Sequence, residues 1–400
     1  VVPYPWYYGY IITVEWCPLA RVRVALVKCD SYDPEVVRTA VERAFSLLGG
    51  AESLLPGRGT CLVKPNLLSP SRPELAITTN PEVVKAVVTE VKKVAEGVVV
   101  GDSPGRGDTL GAAEASGVAQ ACREAGVSVV SFDEGLDVRV PEGRVCKDFY
   151  VAVPVVQAEA LVNVAKMKTH GFMGYTGAVK NLYGCIPGTR KAKFHLRYQG
   201  KEEFGLMLLD LLAAVRPAVS VLDAVVAMDG DGPSHGRPRP FGAIMASTDP
   251  VAVDSVALRL AGVDPTVVPY LKAAAEHGAG AVAEEDIEVV GDPPESFTIK
   301  DFRMPSGNRH RSLLRFGGIM KKSITARPVI NLMKCTGCAV CQRSCPPQVI
   351  SMSRKKAVID HKRCIRCYCC HEMCPSGAID LRMGLVARAL DRFIDSLAIK

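Results

Sequence analysis

A chain of 400 residues that is 48% apolar and 23% charged is too rich in hydrophobic residues to be disordered, and its length suggests two or three domains, each able to bury a core. Charges, prolines or glycines interrupt every apolar run before the roughly 18–20 residues that a bilayer span needs, so no membrane-spanning helix is expected. The formal charge of +7 is uneven: residues 301–400 hold 19 Lys and Arg against 6 Asp and Glu, whereas the first 300 residues hold 30 against 36.

Residues 1–20, with Trp6, Trp16 and four tyrosines, form an N-terminal extension that matches no targeting pattern, and the chain is expected in the cytoplasm. From Arg21 the hydrophobic period predicts a strand over 21–28, a helix from Pro34, a strand over 60–64, a helix from Pro81, a strand over 97–101, helical stretches through 108–125 and a strand over 127–132. A strand over 160–165, a helix over 201–215, strands near 218–223 and 242–247, helices over 250–261 and 266–277, and a strand over 286–290 follow. Asp33-Pro34, Asn80-Pro81, Asp249-Pro250 and Asp264-Pro265 each place a capping side chain before a proline at the first helical position. Strands alternating with helices at this spacing predict an α/β domain over 21–295, a mainly parallel sheet with helices on both faces. The pattern lapses after 292, and 296–326 reads as a linker or wrapping segment. Leu385, Ala389, Phe393 and Leu397 recur at helical spacing and predict an amphipathic helix over 383–400, whose mixed-charge polar face suits packing on protein.

Ligands of a parallel sheet bind beyond the carboxyl ends of its strands, which directs attention to the loops there. Three stand out: Lys64-Pro65-Asn66, the stretch Gly101-Asp102-Ser103-Pro104-Gly105-Arg106-Gly107, and Lys166-Met167-Lys168-Thr169-His170-Gly171 running into Thr176-Gly177-Ala178-Val179-Lys180-Asn181. The last resembles a helix opening near a glycine, where amide N–H groups with Lys168, His170 and Lys180 would make an anion site. The glycine-rich loop fits neither the dinucleotide fingerprint nor the P-loop and alone reads as a tight turn, and a lone His170 would read as a structural histidine. The crowding of Lys168, His170, Lys180 and Asn181 into fourteen residues favours function. Lys64 and Asn66 join them as binding candidates, and Asp102 is the candidate acid or base. Asp229-Gly230-Asp231-Gly232-Pro233 reads as a tight loop rather than a cation site, and Asp254 as an acid favourable near a helix start. Cys17, Cys29, Cys61, Cys122, Cys146 and Cys185 have no ligand spacing and read as buried thiols.

Nine of the 15 cysteines lie in the basic tail, and eight of them spell one pattern twice. Cys335-x2-Cys338-x2-Cys341-x3-Cys345-Pro346 recurs as Cys364-x2-Cys367-x2-Cys370-x3-Cys374-Pro375. Three closely spaced thiolates in a tight loop can each hold one iron of a cubane, with the fourth ligand arriving from elsewhere. Disulfides would need an oxidising compartment, and zinc sites pair two C-x2-C units rather than two fused four-cysteine runs. Cys369 aligns with Val340 of the first run and reads as a packed thiol. Residues 327–382 resemble the bacterial-type two-cluster ferredoxins. That resemblance implies a small α+β domain of two short hairpins and two short helices, single-electron transfer, and ligands exchanged between the runs. One 4Fe-4S cluster would take Cys335, Cys338, Cys341 and Cys374, and the other Cys364, Cys367, Cys370 and Cys345. With about −2 on each cluster the tail keeps an excess of about +9. This includes Arg354-Lys355-Lys356 and Lys362-Arg363, and reads as a solvated face or as a dock for an acidic partner.

The larger domain carries a second resemblance. Lys64-Pro65-Asn66, Thr78-Thr79-Asn80-Pro81, Gly101-Asp102-Ser103-Pro104-Gly105, Lys168-Thr169-His170, Thr176 through Asn181, Asp229-Gly230, Gly232-Pro233 and Asp249-Pro250 through Asp254 are similar to the family labelled domain of unknown function 362, over about 21–295. That family is sometimes joined to ferredoxin-type domains, and the resemblance points to the same loops without supplying a substrate. The expectation is an iron–sulfur oxidoreductase with an anionic substrate or cofactor in the α/β domain and a redox partner protein. The alternative is a non-catalytic electron carrier or an assembly factor. No nucleic-acid signature accompanies the basic tail.

Overall fold

Side chains alternate along the strands so that two apolar faces form, and both are covered. A computed structural model describes residues 21–305, except 58, 189, 298 and 300, and residues 325–383. The extension over 1–20, residues 306–324 of the linker read over 296–326, and the residues Leu385, Ala389, Phe393 and Leu397 of the expected C-terminal helix lie outside the described residues. The strands are β1 (Val22–Lys28), β2 (Thr60–Lys64), β3 (Gly97–Asp102), β4 (Ser128–Ser131), a hairpin of β5 (Gly135–Arg139) and β6 (Asp148–Ala152), then β7 (Ala160–His170), β8 (Gly174–Thr176), β9 (Val219–Asp229), β10 (Arg237–Ser247) and β11 (Ile287–Gly291). The main sheet runs β11-β1-β10-β9-β7-β2-β3-β4, with β8 against the end of β7. Neighbours are parallel except that β10 opposes β1 and β9, and β8 opposes β7.

Cys61, Val63, Val162 and Val164 face one core, closed by the helices Pro34–Leu47 and Pro81–Val91. Leu62, Leu161 and Ala165 face the other, closed by Lys201–Val215, Pro250–Leu260 and Pro269–His277. This is the two-sided α/β arrangement expected from the sequence. The four Asx-Pro starts cap as read, with Asp33, Asn80, Asp249 and Asp264 each accepting a backbone N–H two residues on; each such cap is worth about 1 kcal/mol.

Three readings change. β7 extends five residues past 165, so Lys166 through His170 lie on a strand rather than in a loop; β8 and β9 supply the ladder partners that an alternation of polar side chains did not advertise. β9 and β10 reach to Asp229 and back from Arg237, well beyond 218–223 and 242–247. The sequence reading does not place the β5–β6 hairpin, whose short strands are partly exposed, or the helix Arg190–Arg197, which is short and rich in charge.

In the C-terminal unit β12 (Arg327–Ile330) pairs with β15 (Ile379–Arg382), and β13 (Ile350–Ser353) with β14 (Lys356–Ile359). Only the second pair is a local hairpin, turned by Arg354 and Lys355 at positive φ; the first joins the two ends of the unit. Short helices, Val340–Arg343 and Cys369–Met373, carry cysteines of the two runs.

Candidate functional site

In the structure the fourth cysteine of each run lies with the first three of the other. Cys335, Cys338, Cys341 and Cys374 line one cavity, and Cys345, Cys364, Cys367 and Cys370 line another. Apolar walls complete each, Ile330, Met352, Ala357 and Ile379 in the first and Pro328, Ile350, Ile359 and Tyr368 in the second. The fourth cysteine of each run receives an amide four residues on: Val349 N–H donates to Cys345 Sγ at 3.4 Å and Ala378 N–H to Cys374 Sγ at 3.2 Å. Among the described residues no three His, Cys, Asp or Glu side chains converge closely enough to hold one ion. Four thiols ringing one cavity fit a cluster with several irons better than a single zinc.

At the carboxyl ends of β2, β3, β7 and β9 the polar residues singled out by sequence assemble into two groups. In the first, buried Lys64 Nζ lies 2.8 Å from Asp102 Oδ1, and Asp102 Oδ2 accepts the Leu67 N–H at 2.8 Å. This pair braces the Lys-Pro-Asn turn against the glycine-rich loop. In the second, Lys168 Nζ donates to Asn66 Oδ1 at 2.7 Å and to the Ile77 carbonyl at 2.6 Å. Asn66 Nδ2 donates to Asn181 Oδ1 at 2.9 Å, and Asn181 Nδ2 to Asn163 Oδ1 at 2.8 Å. Each amide fixes the orientation of the next, so the lysine faces an acceptor whose direction is determined. Burial, then the neighbouring Lys180 and Lys166, hold the Lys168 ammonium well below the ordinary lysine range.

Lys180 sits on the four-residue helix Ala178–Asn181, which opens after Gly177 as the sequence suggested. Its ammonium, 5.5 Å from the Tyr183 ring centroid, has no hydrogen-bonding or carboxylate partner among the described residues, and burial lowers its pKa. Asp254 holds this helix by accepting the N–H groups of Ala178 at 2.7 Å and Val179 at 3.0 Å and the Tyr270 hydroxyl at 3.0 Å. Asp254 therefore caps a different helix from the one it belongs to, which its place early in Pro250–Leu260 could not reveal. Burial raises its carboxyl to about 7.

His170 Nδ1 accepts the N–H groups of Phe172 and Met173 at 3.1 and 3.2 Å, which leaves the proton of the neutral ring on Nε2. Burial lowers this histidine to about 4. Nε2 lies 2.9 Å from Oε1 of Glu372, although the two are not aligned for a hydrogen bond. His195, on the helix Arg190–Arg197, stacks on Phe204 at 4.6 Å and leaves a buried Nδ1 with no partner; burial lowers it to about 3. Burial opposes ionisation of Glu372, but His170, Lys180 and His195 overcome it and hold the carboxyl low. Sequence reasoning missed His195 and Glu372. His195 looks like any histidine on an apolar helical face, and Glu372 is hidden among cluster ligands.

Glu372 belongs to the ferredoxin-type unit, so this unit walls the site. Its helix Cys369–Met373 meets the glycine-rich loop, the end of β7 and the turn that follows β9. Met373 packs on Gly105, where a Cβ would come within 2.9 Å of its methyl; the His371 ring lies 3.3 Å from the Asp231 carbonyl; His235 Nε2 lies 3.0 Å from the His371 carbonyl. Cys369, half-buried, sits beside Cys367 on the side facing Lys180 and Tyr183. The other acids are occupied elsewhere: Asp223 by Lys166 and Tyr32, and Asp229 by Arg237.

The architecture is that of an α/β protein whose polar site is closed by an iron–sulfur, ferredoxin-type domain. Residues 61–259 match the family described as Domain of unknown function (DUF362), and residues 327–375 match a 4Fe-4S dicluster domain. The chain is 31% identical over 284 residues to the thylakoid-associated protein sll1697 of Synechocystis sp. (strain ATCC 27184 / PCC 6803 / Kazusa), covering 70% of this chain and 87% of that protein. The chain thus belongs to the DUF362 family and carries an iron–sulfur domain of the electron-transfer type, as both resemblances implied. Among solved structures the lactate racemase apoprotein of Thermoanaerobacterium thermosaccharolyticum aligns with a TM-score of 0.38 and 15% identity over 58% of this chain and 55% of that one. No helix among the described residues is long and apolar enough to cross a membrane.

Proposed function

We propose that the protein is an iron–sulfur oxidoreductase holding two 4Fe-4S clusters, one in each cysteine quartet, beside a site for an anionic substrate or cofactor. The clusters supply single-electron transfer. Lys168 and Lys180 bind the anion, with Asn66 and Asn181 fixing the direction of Lys168. His170, protonated on Nε2, offers a hydrogen-bond donor in the same space. Lys64 and Asp102 keep the two flanking loops in register, and Asp102 stays the candidate acid or base should the anion reach it. The observation that carries this reading is the reach of Glu372, from the helix between Cys370 and Cys374, to within 2.9 Å of His170: cluster ligands and anion site share a wall. A redox partner protein and a cytoplasmic, reducing setting suit thiolate quartets. The relative's printed link to thylakoids makes cell fractionation part of the test.

The test is anaerobic purification of the whole chain with iron and sulfide counts, EPR after reduction, and mass spectrometry of copurifying small molecules. About eight irons with a spin-coupled signal are expected, together with a bound anion that Lys168→Ala and Lys180→Ala lose while iron is retained. Intact anaerobic protein with far less iron refutes the two-cluster reading. Full iron with an empty α/β domain and a stoichiometric, turnover-free effect on a partner favours the carrier or assembly factor.

A further inference from the structure

We propose that the exposed face around the first cysteine quartet is the docking surface for an acidic electron-carrier protein. The identity of that partner rests on the two-cluster reading above; the surface itself rests on charge and exposure. Met333 is 93% and Leu332 58% exposed, side by side just before Cys335, and Cys338 is itself exposed. Four cations surround them. Lys334 adjoins Cys335, Lys356 Nζ donates to the Cys335 carbonyl at 2.5 Å, Arg343 donates to the Cys338 carbonyl at 3.3 Å, and exposed Lys355 sets its carbonyl against Gly337. None of the four has a carboxylate partner among the described residues.

The acids of the unit lie elsewhere. Residues 325–383 contain ten Lys and Arg against three Asp and Glu: Asp360 receives the Lys362 N–H, Glu372 faces the α/β domain, and Asp380 pairs with Arg382. The second quartet is occupied with the α/β domain through the helix Cys369–Met373, which leaves the face of the first quartet for a visitor. An apolar centre with a charged rim is the anatomy of a protein interface, and transient electron-transfer contacts are small, below about 1,200 Å². A rim of one sign selects a partner of the other. The exposed Met333 and Leu332 at the centre favour a protein over a phosphate backbone.

The experiment uses the anaerobically purified full chain and a purified acidic flavodoxin as probe, with binding read by isothermal titration calorimetry at low and at high salt. Binding is expected at low salt and should weaken at least about tenfold at high salt. Lys334→Glu combined with Lys355→Glu should weaken it about tenfold or more, and Met333→Ser should weaken it without changing the salt dependence. Lys272→Glu, on a distant helix of the α/β domain, should leave it as it is. Wild-type affinity in the double variant, or equal loss in Lys272→Glu, overturns the proposal. So does a short single-stranded DNA that binds as tightly as the flavodoxin through Lys334 and Lys355. Iron content is measured in every sample, so a chain without iron overturns the two-cluster reading while the binding data still decide the surface.

Discussion

Gly184 lies in the short turn Leu182–Cys185, and its hydrogen faces the buried pair of Lys64 and Asp102. A Cβ at this position would stand 2.0 Å from Asp102 Oδ1 and 2.7 Å from Lys64 Nζ. The oxygen must therefore retreat by about 1.4 Å to reach ordinary contact, which pulls apart an ion pair of 2.8 Å. Both side chains are essentially inaccessible, at 0% and 3%, so water cannot replace the lost partner. Breaking a buried pair costs about 3–5 kcal/mol, against roughly 1 kcal/mol or less for an exposed one. Gly184→Ala should accordingly lower the thermal midpoint of the anaerobic protein by about 6–12 °C at fixed scan rate, followed by circular dichroism. Asp102→Asn should cost a similar amount, because it strands the Lys64 ammonium, and the two substitutions together should cost far less than their sum. A loss below about 1 kcal/mol in Gly184→Ala, or full additivity with Asp102→Asn, would refute the argument that this pair braces the site.

Three further outcomes follow from the geometry. If the quartets are crossed, Cys338→Ser with Cys374→Ser removes no more iron than Cys338→Ser alone, whereas Cys338→Ser with Cys345→Ser empties both cavities; iron counts on anaerobic protein decide. Burial lowers His170 to about 4 and His195 to about 3 from 6.5, so the stability they contribute is complete above pH 6.5 and lost as pH falls through that window. His195→Phe should flatten the fall in thermal midpoint between pH 6.5 and 4. Asp254, raised from 3.8 to about 7, has the opposite sign: its contribution is full below pH 3.8 and lost as pH rises through 7, so the midpoint of Asp254→Asn should gain on wild type between pH 5 and 8.

The parallel sheet, its capped helices and the cysteine quartets were readable because each depends on local, repeated signals: an apolar period, an Asx-Pro start, a fixed ligand spacing. The carboxyl-end loops were readable as a set, since topology gathers loops of this kind whatever they contain. The partners within the set were not. Lys166 and Lys168 look alike two residues apart on β7, yet one meets Asp223 and the other a row of neutral amides. Pairing across Asn66, Asn181 and Asn163 spans more than a hundred residues of chain, and no periodicity encodes it. Glu372 was hidden for a different reason: it enters the site from another domain.

The contrast between those two lysines also bears on what the site holds. Lys166 is complete, with its ammonium 2.9 Å from the Asp223 carboxylate and Tyr32 and the Asn80 N–H also bonded to that acid. Nothing is left for a ligand to supply. Lys168 has hydrogen-bond acceptors but no counter-ion, Lys180 has neither, and the buried Nδ1 of His195 has no partner. A charge withdrawn from water without a counter-ion is costly, so two ammonium groups left without one stand out when the same strand shows how to neutralise a third. Of the two carboxylates whose charge reaches Lys168 among the described residues, Asp102 is paired with Lys64, and Glu372 comes from the ferredoxin-type unit and lies against His170. It cannot offset two ammonium groups as well, and the deficit left at the domain junction is one of negative charge.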